Sequence, residues 1–240
     1  WVQPPSLCRA ALAAHPQAIT LRTRTAVTRI EASASGWQAW GSDGSLIASA
    51  PVMIIAGGVE ATRFPQLAWL PQRPARGQVS HLPATATPPL RHVVSGQGYV
   101  TPLVDGLRCA GATHTMDDEE IALRPGDHVE NIANLDALLP GFAEGIDPGA
   151  LAGRVGFRPL SPDRLPMVGP VPSGAPPSGR HLPMLAGLWC VQGFGARGIV
   201  WSALMAELLA CQIEGEPLPL EHDLVQAVAP ARFLLRRQEG

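Results

Sequence analysis

No lysine occurs anywhere in the 240 residues, so every one of the 18 basic side chains is arginine. Schiff-base chemistry on a lysine amine and the phosphate-binding lysine of a P-loop are therefore excluded. Charged residues make up only 16% of the chain and the formal net charge is -2, without a basic run. That gives no electrostatic footprint for nonspecific nucleic-acid binding, so DNA is not an expected partner and any RNA contact must be local. Cys8, Cys109, Cys190 and Cys211 stand far apart with no C-x-x-C pair. This spacing argues against a zinc site or a thioredoxin-like motif, and four cysteines are too sparse for a secreted disulfide scaffold. Free thiols in a reducing cytoplasm are expected. The seven histidines show no ligand spacing, and no metal is assigned. The start, Trp1-Val-Gln-Pro-Pro, lacks a signal-peptide pattern. Ile199 to Ile213, the longest apolar run, is broken by Glu207 and falls short of the ~20 residues of a membrane span.

What is abundant is hydrophobic residue, 46%, together with 25 Pro and 25 Gly scattered along the chain. These read as a globular protein with many turns. The densest signal is Leu188-Trp-Cys-Val-Gln-Gly193-Phe-Gly195-Ala-Arg197-Gly198, followed by the apolar run from Ile199. A strand, a glycine turn and a helix start present free backbone N–H groups to an electron-rich ligand, worth roughly 0.3–1 kcal/mol when exposed and about 2 kcal/mol when partly buried. The alternative is a turn that only lets the helix pack closely on a sheet, and the residues alone leave both open.

Along the chain, Ser6 to Ala14 is expected as a helix with Ser6 as N-cap. Strands are expected at 19–21, 27–32, 36–40 and 45–48, with Ser42-Asp43-Gly44 as a hairpin turn. Val52 to Gly58 reads as a strand buried on both faces that closes on two glycines. Beyond Arg76, segments 78–82, 92–94, 98–102 and 107–112 suggest an antiparallel sheet, and 117–122 and 128–139 suggest helices. Strands at 151–157 and 184–191 and a helix at 199–213 complete a mixed α/β fold, an α/β (α+β) arrangement without internal repeats.

Ile54-Ile-Ala56-Gly57-Gly58, Arg76-Gly77-Gln78, Gly98-Tyr99-Val-Thr-Pro102, Gly156-Phe-Arg158-Pro-Leu-Ser-Pro-Asp163-Arg-Leu-Pro-Met-Val-Gly169 and Gly193-Phe-Gly195-Ala-Arg-Gly198 occur in that order. Together they resemble the D-amino-acid-oxidase-like FAD-dependent oxidoreductases over nearly the whole chain. Within that family the likeness is to the oxidase domain of bifunctional enzymes that modify the tRNA wobble uridine. The resemblance implies a partial FAD-binding sheet interleaved with an antiparallel substrate domain. Residues 1–75 are the rest of the FAD-binding domain with a hairpin insertion, 76–152 the substrate domain, and 153–240 the return to the FAD-binding domain. The family's opening strand and G-x-G-x-x-G turn have no match here. The chain is therefore expected to be the later part of a longer protein and to hold FAD weakly alone. A methyltransferase half, which alone would use S-adenosylmethionine, is also expected outside it.

The resemblance further implies site roles. Arg158 would pair with a substrate carboxylate, with Tyr99 and Gln78 also on the substrate side. Val27, Ala56, Gly57, Gly58, Arg76, Gly77, Gly193, Phe194, Gly195, Ala196, Arg197, Gly198 and Ile199 would meet the FAD. His81 and His114 are secondary pocket candidates, and no residue is assigned as a proton-transfer catalyst. The implied reaction is hydride removal from the glycine carbon of carboxymethylaminomethyl uridine in tRNA, with release of glyoxylate. An oxidase of free glycine, sarcosine or a D-amino acid is the alternative, and a non-catalytic fragment that packs against a partner is a third reading.

Overall fold

The computed structural model describes residues 1–173 and 182–235. They form two compact units. A middle unit holds Pro74–Arg158 with Trp1–Val2, and a split unit holds Gln3–Arg73 and the residues from Pro159 onward. Helices and three separate sheets make the fold mixed α/β.

The split unit begins with α1 (Pro4–Ala14). Pro4 and Pro5 fill its first turn, where a missing N–H is harmless, so the helix starts earlier than expected and Gln3, not Ser6, is the N-cap. Ile19 to Leu21 form no strand; they are exposed, and the Ile19 N–H donates to the His15 carbonyl at 3.2 Å. β1 (Arg29–Ser33), β2 (Gly36–Trp40) and β3 (Leu46–Ala50) form an antiparallel meander. Asp43 shapes its second turn by accepting from the Ser45 N–H at 3.0 Å, and Gly44 takes the left-handed backbone there. β4 (Met53–Ile55) follows.

In the middle unit, β5 (Arg73–Pro83), β6 (Val94–Ser95), β7 (Tyr99–Val100), β8 (Leu107–Gly111) and β9 (Thr115–Met116) join one sheet. α2 (Pro125–Leu138) and β10 (Ala152–Leu160) complete it, in the order β10-β5-β8-β7-β6 with β9 beside β5. Leu135 of α2 packs with Leu82, Val100, Ala110 and Phe142 in an apolar core. The polar side of the same contact is built by α2: Asn131 donates to the Gln78 carbonyl at 3.0 Å and His128 Nδ1 meets Ser80 Oγ at 2.7 Å.

Asp117 to Ala122 form a loop instead of the expected helix. Their side chains compete for the backbone: Asp118 accepts from the Glu120 N–H and Glu120 from the Ala122 N–H, while Arg76 takes the carbonyls of Glu120 and Ala122.

Burial lowers the His128 imidazole pKa; Asp127 opposes that shift, and His81 adds to it. The unfolded chain therefore binds a proton that the folded state refuses. The contribution is full above about pH 6.5 and is lost as pH falls through the lower folded value, with a limiting slope of about 1.4 kcal/mol per pH unit. Hydrogen exchange of the α2 amides should accelerate as pH falls below this point, after correction for intrinsic rates. His128→Gln should flatten that dependence, and an unchanged profile would remove His128 from this role.

The split unit resumes with β11 (Met167–Pro172) and β12 (Met184–Gln192), then α3 (Gly198–Glu214), α4 (His222–Val228) and α5 (Arg232–Leu235). β11 lies at one edge of the sheet β11-β12-β4, where Pro170 and Pro172 are tolerated. Met167, Val171, Leu188 and Cys190 face one core with Trp37 and Leu67. Val168 packs on the other side with Met205, Leu208 and Leu209 of α3. The Val52 to Gly58 segment was expected to be buried on both faces, yet only Ile55 is buried and Ile54 is 46% exposed. β4 is the second edge of this sheet among the described residues, and of its two faces only the one carrying Ile55 contributes a fully buried side chain. No described helix is long and apolar enough to cross a membrane.

Candidate functional site

Two sets of residues have the geometry of a binding region, one in each unit. In the split unit, β4 runs parallel to β12, pairing Ile55 with Cys190. The carboxyl ends of parallel strands are where ligands bind in open α/β sheets. This pairing puts the Ala56-Gly57-Gly58 turn and the Gln192-Gly193 turn at one end of the sheet. Gln192 ties them together, its Nε2 donating to the Ile55 carbonyl at 3.0 Å. Its Oε1 is buried and unpaired, although buried polar atoms are seldom left so.

Beside this sheet end lies a cavity of about 710 Å³. Val27, Ala56 and Gly57 line it with Ile30, Met53 and Phe64, so three residues assigned to the cofactor share one hollow. Gly58 is outside the lining; its φ of +59° suits the turn, and its carbonyl accepts from Gln72 Nε2 at 2.8 Å.

The glycine turn before α3 is tightly built. Gly195 has φ +55°, donates to the Pro159 carbonyl at 2.9 Å, and a Cβ there would sit 2.6 Å from Leu160 Cδ2. Phe194 bridges Leu160 and packs toward the α3 core. Ala196, Arg197 and Ile199 are exposed, and Arg197 is the N-cap of α3 without a side-chain bond.

In the middle unit the two faces of the sheet have different tasks. Side chains alternate along a strand. Arg76, Gln78 and Ser80 turn toward α2 and its leading loop. Arg76, fully buried, commits four of its five donors to Asp127, Gln78 and the carbonyls of Glu120 and Ala122. Gln78 bridges Arg76 to both backbone groups of Arg124. These two side chains, assigned above to cofactor and substrate, are engaged in the framework of this unit.

The opposite face carries Gly77, Val79 and His81 of β5. His81 pairs with Cys109 and Val79 with Gly111, which also pairs with Tyr99. Arg158 lies over Gly77: a Cβ at Gly77 would be 2.5 Å from Arg158 Nη1 and 2.9 Å from the Thr113 carbonyl. Arg158 Nη1 is buried with no hydrogen-bond partner. Burial pushes the Tyr99 phenol up; Cys109 adds to this, and the guanidiniums of Arg158 and Arg154 oppose it. Tyr99 is thus a neutral phenol within electrostatic reach of two arginines. His114 is exposed. The spacing missed Gln192, whose signal is one amide ending an otherwise apolar strand.

Comparison with known proteins gives a consistent result. Residues 1–212 match the family described as FAD dependent oxidoreductase, DAO. The chain is 56% identical, over its whole length, to the tRNA 5-methylaminomethyl-2-thiouridine biosynthesis bifunctional protein MnmC of Aromatoleum aromaticum. It is 52% identical over 98% of its length to the protein of that name from an Azoarcus species. It spans 38% of the length of each of these relatives. Among solved structures, iminodiacetate oxidase from a Chelativorans species is 26% identical with a TM-score of 0.66, covering 94% of this chain and 57% of that one. Glycine oxidase from Geobacillus kaustophilus is 22% identical with a TM-score of 0.70, over 95% of this chain and 58% of that one, and shares the fold.

Proposed function

Because this chain belongs to the DAO family of FAD dependent oxidoreductases, we propose that it is the oxidase region of an enzyme that oxidises a C–N bond in tRNA modification, acting on an N-substituted glycine at the wobble uridine. The identity to the MnmC proteins supports the tRNA reading. The observation that carries the substrate chemistry is Arg158, a guanidinium with a buried, unpaired Nη1 laid across a glycine. A carboxylate is the natural partner of such a fork.

The split unit fits the family's cofactor on two counts: the cavity at the end of β4, and the unpaired buried oxygen of Gln192, whose Nε2 holds the carbonyl of Ile55 in the cavity lining. Val27, Ala56 and Gly57 would hold FAD along the cavity, with Gly58 completing the turn. In the segment Gly193 to Ile199 the N–H groups of Gly195 and Arg197 are taken by the Pro159 and Phe194 carbonyls, so the segment would meet FAD chiefly through the first N–H groups of α3, at Gly198 and Ile199. Gly77 contributes by leaving Arg158 its space. When bound, FAD supplies the two-electron acceptor that amine oxidation requires.

The chain's own residues bind and orient. Arg158 holds the carboxylate and so aims the adjacent carbon. Tyr99, kept protonated by burial, donates a hydrogen bond and does not act as a base. Loss of a hydride from the glycine carbon and a proton from nitrogen leaves an imine. Water adds to it, the C–N bond breaks, and aminomethyl uridine and glyoxylate separate. Such an enzyme works in the cytoplasm, where its tRNA substrate resides.

The test is turnover by the full-length FAD-loaded protein. Glyoxylate release from carboxymethylaminomethyl-modified tRNA should exceed that from free glycine or sarcosine at least 100-fold in kcat/KM. The reverse preference would establish the second reading, an oxidase of small amino acids, which the likeness to iminodiacetate oxidase favours.

A further inference from the structure

We propose that Arg154 is a second anion-binding residue on the Arg158 face, taking a phosphate of the nucleotide that carries the N-substituted glycine. This rests on the substrate reading above and deepens it. Arg154 stands four residues before Arg158 on β10, and an even spacing keeps strand side chains on one face. Gly153 fixes which face: a Cβ there would meet the Val79 carbonyl at 2.3 Å and His128 of α2 at 2.9 Å. Arg154 therefore lies on the opposite side, with Gly77, Gly111, Tyr99 and Arg158. Consistent with that placement, Arg154 acts electrostatically on both Tyr99 and Cys109. It is exposed, and no hydrogen bond or ion pair holds it among the described residues. The face thus presents two uncommitted guanidiniums, one anchored over Gly77 and one at the rim.

Their spacing selects the ligand. Four residues of strand separate the two Cα atoms by about 13 Å. Free glycine or sarcosine has one carboxylate, which Arg158 satisfies, and nothing that reaches a second cation. A nucleotide modified on its base has its other anion across the base and ribose, and an arginine fork matches a phosphate as well as a carboxylate. Tyr99 offers a ring for the base on the same face, on β7, with β5 and β8 between it and β10. One such local contact also reconciles a polynucleotide substrate with a chain of net charge -2 and no basic run.

The experiment uses the full-length FAD-loaded protein and two probes, the carboxymethylaminomethyl nucleoside and its 3′,5′-bisphosphate. The expected result is at least tenfold tighter binding and lower KM for the bisphosphate in the unmodified protein. Arg154→Gln should bring the two probes within twofold of each other, and Arg154→Lys should restore part of the gap. Arg158→Leu should weaken both probes and preserve their ratio. Equal binding of the two probes by the unmodified protein, or a phosphate advantage that survives Arg154→Gln, overturns the role of Arg154 and leaves the substrate reading standing. If the unmodified protein oxidises sarcosine but neither binds nor turns over either probe, both fall.

Discussion

Arg158→Leu in the full-length, FAD-loaded protein should raise KM for a carboxylate-bearing substrate by about a hundredfold, because losing a buried charged hydrogen-bond partner costs about 2–5 kcal/mol and each 1.4 kcal/mol is tenfold. The cost is large because the substrate carboxylate would be desolvated without the charged partner that compensates it. kcat should fall as well, since in the proposed role the fork would also aim the carbon to be oxidised, and small misplacements are expensive in rate. A companion change separates binding from mere presence of charge. Gly77→Ala keeps the guanidinium but puts a methyl 2.5 Å from Nη1 and 2.9 Å from the Thr113 carbonyl, which cannot retreat as a side-chain tip could. It should raise KM about tenfold, with an overpacking cost of about 1–3 kcal/mol in stability. Steady-state kinetics on both variants decides the matter: an unchanged KM in Arg158→Leu would end the assignment, and a normal Gly77→Ala enzyme would show that Arg158 does not depend on that approach.

The same glycine shows why part of the site was legible and part was not. Arg76-Gly77-Gln78 drew attention as one motif, but a strand sends neighbours to opposite faces. Gly77 belongs to the Arg158 face, whereas Arg76 and Gln78 are occupied with the α2 side. Composition cannot reveal that the fork of Arg76 is claimed by carbonyls 44 and 46 residues away. Local signals served well where they were sufficient. Gly36 to Trp40 alternates and forms β2 with those limits, and the apolar run after Gly198 forms α3. They failed where long-range or side-chain competition decides. The acidic stretch Asp117 to Glu120 reads as a helix start, but its carboxylates cap local N–H groups in a loop. β11 was not among the expected strands, and its Pro170 and Pro172 are tolerated because it lies at a sheet edge. Arg232 and Asp163, 69 residues apart, gave no pairing signal at all.

That last pair should dominate the stability of the split unit. Arg232 is 5% exposed and forks onto Asp163, with Nε to Oδ2 at 2.8 Å and Nη2 to Oδ1 at 2.9 Å. It also donates to the carbonyls of Leu165 and Ala229, which ties the α4–α5 segment to the 161–165 turn. Asp163→Asn would leave the guanidinium buried against a neutral amide. Breaking a buried pair in this way costs about 3–5 kcal/mol, and the partial exposure of Asp163 places the expected loss near the lower end, about 3 kcal/mol. Burial alone would push the Asp163 carboxyl up, but hydrogen bonds from Arg232 and the Leu165 N–H, with the arginine charge, hold it below the ordinary carboxylate value. The stabilisation is therefore complete above the unfolded pKa of about 3.9 and is lost as pH falls through the lower folded value. Urea unfolding followed by tryptophan fluorescence reads this unit well, since Trp37, Trp40, Trp69, Trp189 and Trp201 all lie in it. At pH 7 the midpoint should drop in Asp163→Asn and in Arg232→Met, and the acid dependence should be weaker in both. The double variant should lose much less than the sum of the two, because the second change removes the charge that the first left unpaired. Additive losses would mean that the two residues stabilise the unit through other contacts and not through each other.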